Sequence, residues 1–376
     1  MVHPKQFVES LNQSGVTFFT GVPDSLLKDF IAYLEETAVQ GNHVTAANEG
    51  GAVGIAAGYH LATGNVPAVY MQNSGLGNAI NPLTSLADPE VYAIPLLLII
   101  GWRGEPGVRD EPQHITQGRI TVNLLEALEI PYAILAPDMD ASALASEITR
   151  MADIAHAKNR PVALVVRAGV FESCHAPKRA SAHLLGREEA IEIVLDSLDG
   201  SEVVVSTTGK ISRELYESRK RRGESSERDF LTVGSMGHAS QIALGIAQQK
   251  KNTSVYCLDG DGASIMHLGG LATVGWVAPR NFKHIVLNNS AYESVGGQPS
   301  AASIVDLTGI AKSCGYISAA SASTKEELSA TLAELKTQRG PAFLEIKVNL
   351  ESRKDLGRPK ESPVENKNKF MDFIGS

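Results

Sequence analysis

Residues 260–289 read GDGASIMHLGGLATVGWVAPRNFKHIVLNN. Asp261 stands between Gly260 and Gly262, and 25 residues after Gly262 come the adjacent Asn288 and Asn289. The run TSVYCLD before the aspartate and the run HIVLNN are short and apolar, as buried strands are, while ASIMHLGGLATVG between them reads as a helix. Asp261 and Asn289 are therefore expected at the carboxyl ends of strands, where open α/β sheets bind their ligands. Bare glycine backbone lets N–H groups approach an anion, and the start of a helix favours negative charge. A carboxylate and an amide oxygen are hard donors suited to Mg²⁺, which takes one or two carboxylates and completes its shell with phosphate and water oxygens. The stretch reads as a Mg²⁺-diphosphate site. The alternative is a strand-end Asp-Gly turn and a polar Asn turn with no ligand.

Outward from this unit the pattern repeats. Strand candidates are VTFFTGV, AVYMQN, YAIPLLLII, YAILA and VALVVRAG in the first half, and EVVVSTTG, HIVLNN and AFLEIKV around the opening stretch in the second. Many are apolar on both faces, which fits a parallel sheet covered on both sides. Helical patterns such as DSLLKDFIAYLEE (24–36) and KEELSATLAELK (325–336) lie between them. Strand–helix alternation predicts an α/β protein of two doubly wound parallel-sheet domains. The length of 376 residues fits two domains. The stretch FESCHAPKRASAHLLGREEA interrupts the pattern. The expected organisation is a first domain over 1–172, a linker over 173–188, a second domain over 189–350 and a polar tail over 351–376. That tail reads as either mobile or an arm packed on a partner subunit.

Composition narrows the function. The net charge of −8 argues against a binder of nucleic acid or anionic membranes, which needs clustered positive charge. Three cysteines, Cys174, Cys257 and Cys314, form no CxxC pair, which fits a reducing cytoplasm. The N-terminus MVHPKQFVES has no apolar signal core, and the longest apolar run, IPLLLII (94–100), is too short to span a bilayer.

GDG followed by about 25 residues and NN resembles the diphosphate-binding signature of thiamine diphosphate enzymes. The resemblance implies a pyrimidine-binding domain followed by a diphosphate-binding domain, with thiamine diphosphate and Mg²⁺ as cofactors. It assigns the metal to Asp261, Asn289 and the backbone carbonyl of Ala291, where the family often has Gly. Gly260, Gly262 and Ala263 would lie along the diphosphate, with Thr208 and Gly209 of TTGK beside it. The segment GSMGHASQIALGIA (234–247) resembles the one that supports the bent cofactor, with Met236 as the apolar wedge and the Gly234 carbonyl as an acceptor. In the first half, HVTAANEGGAVGIAAGYHLATG (43–64) resembles the family's pyrimidine-domain motif. It assigns Glu49 to the aminopyrimidine, where it promotes formation of the reactive ylide. On its residues alone, Glu49 could equally complement a helix dipole and Met236 could be ordinary core. NSGLGNAIN (73–81) has Gly75 and Gly77 but lacks the third glycine of a dinucleotide fingerprint. That weakens a second reading, a dinucleotide-dependent oxidoreductase.

The chain has no room for the central third domain of most 2-oxo acid decarboxylases in this family. It resembles the short two-domain members that act on phosphonopyruvate or sulfopyruvate, with TGVPDSLLKDF, QNSGLGNAINPLTSL and GWRGEPGVRDEPQHITQG (101–118) closest to the former. The resemblance implies decarboxylation of 3-phosphonopyruvate to phosphonoacetaldehyde and carbon dioxide, with sulfopyruvate or another 2-oxo acid as the alternative substrate. It also implies a homodimer or higher oligomer with active sites at the subunit interface. A dianionic or trianionic substrate calls for local cations, and Arg103, Arg109 and His114 lie in the 101–118 loop. Arg suits phosphonate geometry. Glu105, Asp110 and Glu111 share that loop and could pair with both arginines. Lys210 is expected to reach the diphosphate or the substrate. Asp24 is expected to transfer a proton, to cap the following helix, or both, with His114 as a second proton-transfer candidate.

Overall fold

The computed structural model describes residues 1–174 and 183–375. The linker expected over 173–188 thus lies in large part, at 175–182, outside the described residues. The chain divides into two compact units, Met1–Lys178 and Arg179–Ser376, and each carries its own six-stranded sheet.

The first sheet comprises β1 (Phe19–Gly21), β2 (His43–Thr45), β3 (Ala68–Gln72), β4 (Leu96–Gly101), β5 (Tyr132–Leu135) and β6 (Pro161–Val166), in the order β2-β1-β3-β4-β6-β5. Every pairing is parallel. Along β4 alternate side chains go to opposite faces. Leu97 and Ile99 join one core cluster, while Leu96, Leu98 and Ile100 join another. The run LLLII is apolar throughout because helices cover both faces.

The second sheet follows the same plan. It comprises β7 (Val203–Ser206), β8 (Asp229–Leu231), β9 (Val255–Gly260), β10 (Phe282–Asn288), β13 (Ser318–Ala322) and β14 (Ala342–Lys347), and a two-stranded hairpin of β11 (Ala291–Tyr292) and β12 (Gln298–Pro299) leaves the tip of β10. The sheet order is β13-β14-β10-β9-β7-β8, again all parallel. Tyr256 and Leu258 face one core cluster, and Val255 and Cys257 face the other. The fold is the expected one, two doubly wound α/β sheets.

The reading of the C-terminal stretch as a mobile tail or a partner-bound arm is corrected. Residues 363–373 form the helix Pro363–Phe373, opened by a Ser362/Glu365 capping box. Its Asn366 accepts from the Leu231 N–H at 3.0 Å and donates to the Asp229 carbonyl at 2.9 Å. This helix thus binds β8 of its own unit, and Phe370 enters the core.

Candidate active site

In each unit the strand order reverses at one point, and the candidate residues collect at the strand tips beside it. In the second unit that point lies between β7 and β9. TTGK follows β7, Asp261 follows β9, and Asn289 follows β10. The register pairs Leu287 with Gly260, so the tips of β9 and β10 are neighbours.

Asp261 opens the helix Asp261–Met266 and is 4% exposed. Its Oδ2 accepts from the Ser300 hydroxyl at 2.5 Å. Ser300 closes the β11–β12 hairpin, its N–H donating to the Ser290 carbonyl at 2.9 Å. The hairpin therefore folds back over the aspartate. Burial pushes the Asp261 carboxyl up to about 6, while the Ser300 hydroxyl, backbone N–H groups and the Arg187 charge pull it down. A Cβ on Gly262 would lie 2.7 Å from the Tyr292 ring and 3.5 Å from Met236 Cε. Only bare backbone fits there, and Met236 reaches the same turn. Ser235, just before Met236, has φ of 54°, an uncommon conformation for a residue with a Cβ that invites a functional reading.

The two asparagines differ in use. Asn288 is buried and donates to Glu345 at 2.7 Å, while its oxygen accepts from the Ser290 N–H at 2.9 Å. It shapes the turn. The Asn289 oxygen accepts from the Ala291 N–H at 3.1 Å, and its nitrogen donates to Glu293 at 3.0 Å. The Asp261 carboxylate, the Asn289 oxygen and the Ala291 carbonyl are hard oxygen donors, a set that fits Mg²⁺.

Two of the expected side chains already have partners within the second unit. The Thr208 hydroxyl donates to the Val233 carbonyl at 2.8 Å, tying the TTGK turn to the turn that carries Gly234 and Met236. Lys210 does not point freely toward a ligand. It donates to Glu293 and to Ser352, both at 2.8 Å.

In the first unit the reversal lies between β1 and β3, with Asp24 after one and Gln72 ending the other. Asp24 is fully buried. Gln72 donates to its Oδ1 at 2.7 Å and the Leu26 N–H to its Oδ2 at 3.0 Å. Burial raises its carboxyl above the ordinary range, against the Gln72 and Leu26 bonds and the nearby Arg103 charge. Asp24 does not cap the following helix, which begins later, as Lys28–Thr37 with Leu27 at the N-cap.

Glu49 is the first residue of the helix Glu49–Thr63 and is 5% exposed. The Asn48 side chain caps that helix, accepting from the Gly51 N–H at 2.8 Å. Asn78 donates to Glu49 Oε2 at 2.8 Å. A Cβ on Gly75 would lie 2.5 Å from Glu49 Oε1. Gly75 and Asn78 of the stretch NSGLGNAIN thus both pack against Glu49.

The cations of the 101–118 stretch are unequal, and the stretch is not all loop: His114 lies in the helix Pro112–Ala127, while Arg103 and Arg109 precede it. Arg103 is held by Asp110, at 2.8 Å through Nε and 2.5 Å through Nη2, and donates to Ser25 at 2.8 Å. Glu105 pairs with Arg167 at 2.7 Å. Arg109 is exposed and has no ion pair among the described residues. His114 Nδ1 is buried without a hydrogen-bond partner. Burial and the Arg103 charge hold its ring below the usual histidine range, against Asp110.

Sequence reasoning missed Gln72, Asn78, Asn288, Glu293 and Ser300. Asn288 lay in the motif, and Gln72 and Asn78 lay in quoted strand-end segments. Nothing local marks Ser300 or Glu293.

Residues 3–130 match the thiamine pyrophosphate enzyme N-terminal TPP binding domain, and residues 208–346 the corresponding C-terminal TPP binding domain. The chain belongs to the thiamine pyrophosphate enzymes. Among relatives of this thiamine pyrophosphate enzyme, a phosphonopyruvate decarboxylase from Streptomyces viridochromogenes is 37% identical over 391 residues, covering 100% of this chain and 95% of that one. Another from Streptomyces hygroscopicus is 35% identical, over 99% of this chain and 94% of its own. A sulfopyruvate decarboxylase from Methanosarcina acetivorans is 29% identical, over 92% and 91% respectively.

Proposed function

We propose that the protein decarboxylates 3-phosphonopyruvate to phosphonoacetaldehyde and carbon dioxide, using thiamine diphosphate and Mg²⁺, as a step in phosphonate biosynthesis. The observation that carries this reading is the full-length 37% identity to a phosphonopyruvate decarboxylase, against 29% to a sulfopyruvate decarboxylase.

The proposed roles follow the strand tips. Asp261, Asn289 and the Ala291 carbonyl hold the metal, and the backbone of Gly260, Gly262 and Ala263, with Thr208 and Gly209, lies along the diphosphate. Gly234 and Met236 support the cofactor, and Glu49 accepts or shares a proton at the aminopyrimidine. When bound, thiamine diphosphate would supply a nucleophilic carbon and an electron sink for the bonding pair that stays behind as carbon dioxide leaves. The rest falls to side chains. Arg109 is the free guanidinium that suits the phosphonate. Arg103, neutralised by Asp110, orients Ser25 and the loop in place of meeting a full anionic charge. Asp24, whose carboxyl burial raises above the ordinary range, and His114 are the two candidates for proton transfer.

The proposal includes a homodimer or higher oligomer, with active sites at subunit interfaces. The helix Glu49–Thr63 exposes Gly51, Gly54, Ile55 and Gly58 in one stripe, a face suited to close contact with a second chain. No helix among the described residues is long and apolar enough to cross a membrane. Three free thiols, Cys174, Cys257 and Cys314, support the cytoplasm as the compartment.

Carbon dioxide release tests the reading. It is expected from phosphonopyruvate only when thiamine diphosphate and Mg²⁺ are both supplied, with kcat/KM above that for sulfopyruvate and pyruvate. A higher kcat/KM for sulfopyruvate would reassign the substrate, and release without the cofactor would overturn the chemistry.

A further inference from the structure

An amide has two ends, and only its oxygen can meet a hard cation. Asn289 can serve a metal only if something keeps its nitrogen turned away. The nitrogen donates to Glu293 Oε2 at 3.0 Å. That carboxylate is itself held on two sides. Lys210 donates to its Oε1 at 2.8 Å, and Arg187 pairs with its Oε2. Arg187 is 5% exposed and also grips Glu214 through two bonds of 2.7 Å. The group of two cations and two carboxylates is neutral and largely closed to water, with the Glu293 side chain 12% exposed. Glu293 is four residues from the asparagine in the chain, but its partners come from β7's tip and from the start of the helix Arg187–Asp196. The contact is therefore imposed by the fold of the whole unit.

We propose that Glu293 is a positioning residue for the divalent-cation site: it fixes the Asn289 amide so that the oxygen is presented to the metal, with Arg187 and Lys210 fixing Glu293 in turn. This rests on the role of Asn289 as a metal ligand. It also gives Lys210 a function other than touching diphosphate or substrate. Groups that orient metal ligands typically matter by about 10–100-fold in metal affinity.

The test is Mn²⁺ binding to the full-length protein at saturating thiamine diphosphate, with free Mn²⁺ read by electron paramagnetic resonance. Glu293→Leu is expected to weaken binding about 10–100-fold. Asn289→Asp alone is also expected to weaken it, because two carboxylates then meet at the old hydrogen bond. The exchange Asn289→Asp/Glu293→Gln is expected to recover most of the affinity. It keeps size and net charge, restores a donor–acceptor pair, and gives the metal an oxygen whichever way residue 289 turns. Being isosteric, Asn289→Asp and the exchange decide the matter even if Glu293→Leu fails to fold. An unchanged affinity in Glu293→Leu, or an exchange protein as weak as Asn289→Asp, would overturn the inference. Asn289→Ala separates the two layers. If it leaves Mn²⁺ binding unchanged, Asn289 is no ligand and the underlying reading fails; if it weakens binding while Glu293→Leu does not, only the positioning role falls.

Discussion

Glu49 sits where three local facts meet: a capped helix start, the Asn78 amide at 2.8 Å, and a glycine whose Cβ would strike its carboxylate. A carboxylate so placed is buried and held at one oxygen by the Asn78 amide, a setting that suits a proton-sharing group. Glu49→Gln keeps the shape and is expected to retain thiamine diphosphate binding while turnover falls roughly 10²–10⁴-fold. Calorimetric titration of the cofactor beside a carbon dioxide assay separates the two effects, and undiminished turnover would remove Glu49 from catalysis. Asp261, Asn289 and Glu49 were legible as candidates because each lies in a short motif with its own chemistry. Ser300 and Glu293 were not, because their roles come from hairpin closure and from contacts across the second unit, which no local pattern encodes. The 101–118 stretch shows the same limit. Its charges were plain, but which acid takes which base is decided by packing: Asp110 clamps Arg103, Glu105 takes Arg167, and Arg109 is left exposed.

The elements divide along a physical line. Interior strands such as LLLIIG and PVALVV are buried at every position and are unmistakable as apolar runs. Within the two six-stranded sheets, the strands that escaped notice are β2 (HVT), β8 (DFL) and β13 (SAASA). All three are edge strands, with one neighbour and little need for hydrophobicity. β2 carries a feature with a measurable result. The His43 ring is partly buried, meets the Tyr70 hydroxyl at 2.8 Å, and has its pKa lowered by burial from 6.5 to about 4. The folded state thus prefers the neutral ring. Its contribution is fully present above pH 6.5 and is lost as pH falls from 6.5 toward 4. A shift of that size is worth up to roughly 3 kcal/mol, less for a ring that water partly reaches. His43→Gln, which keeps a polar partner for Tyr70, is expected to flatten this part of the stability–pH curve. Urea midpoints for both proteins across that window check it; parallel curves would show that His43 carries none of the acid sensitivity.

Each unit of the molecule is complete in its core, with apolar clusters on both faces of its sheet. What stays exposed is therefore informative. Trp276, at the end of the helix Gly269–Val277, is 91% exposed, and Ile304 is 88% exposed. An indole left in water gains little for a lone chain, whereas tryptophan is enriched among the residues that dominate protein interfaces. Trp276 and Ile304 belong to the second unit, and the bare stripe on the helix Glu49–Thr63 belongs to the first. Such exposure fits a protein that functions as an oligomer with closed symmetry. A central interface tryptophan is typically worth about 2 kcal/mol or more, so Trp276→Glu is expected to weaken self-association at least about thirtyfold. Sedimentation velocity across a dilution series should then show the variant dissociating at concentrations where the parent stays assembled. If the sites form at subunit interfaces, turnover should fall with the assembled fraction and recover as protein concentration rises. A variant that assembles like the parent would show that Trp276 lies outside the contact, and a parent chain that sediments as a monomer while fully active would end the interface proposal.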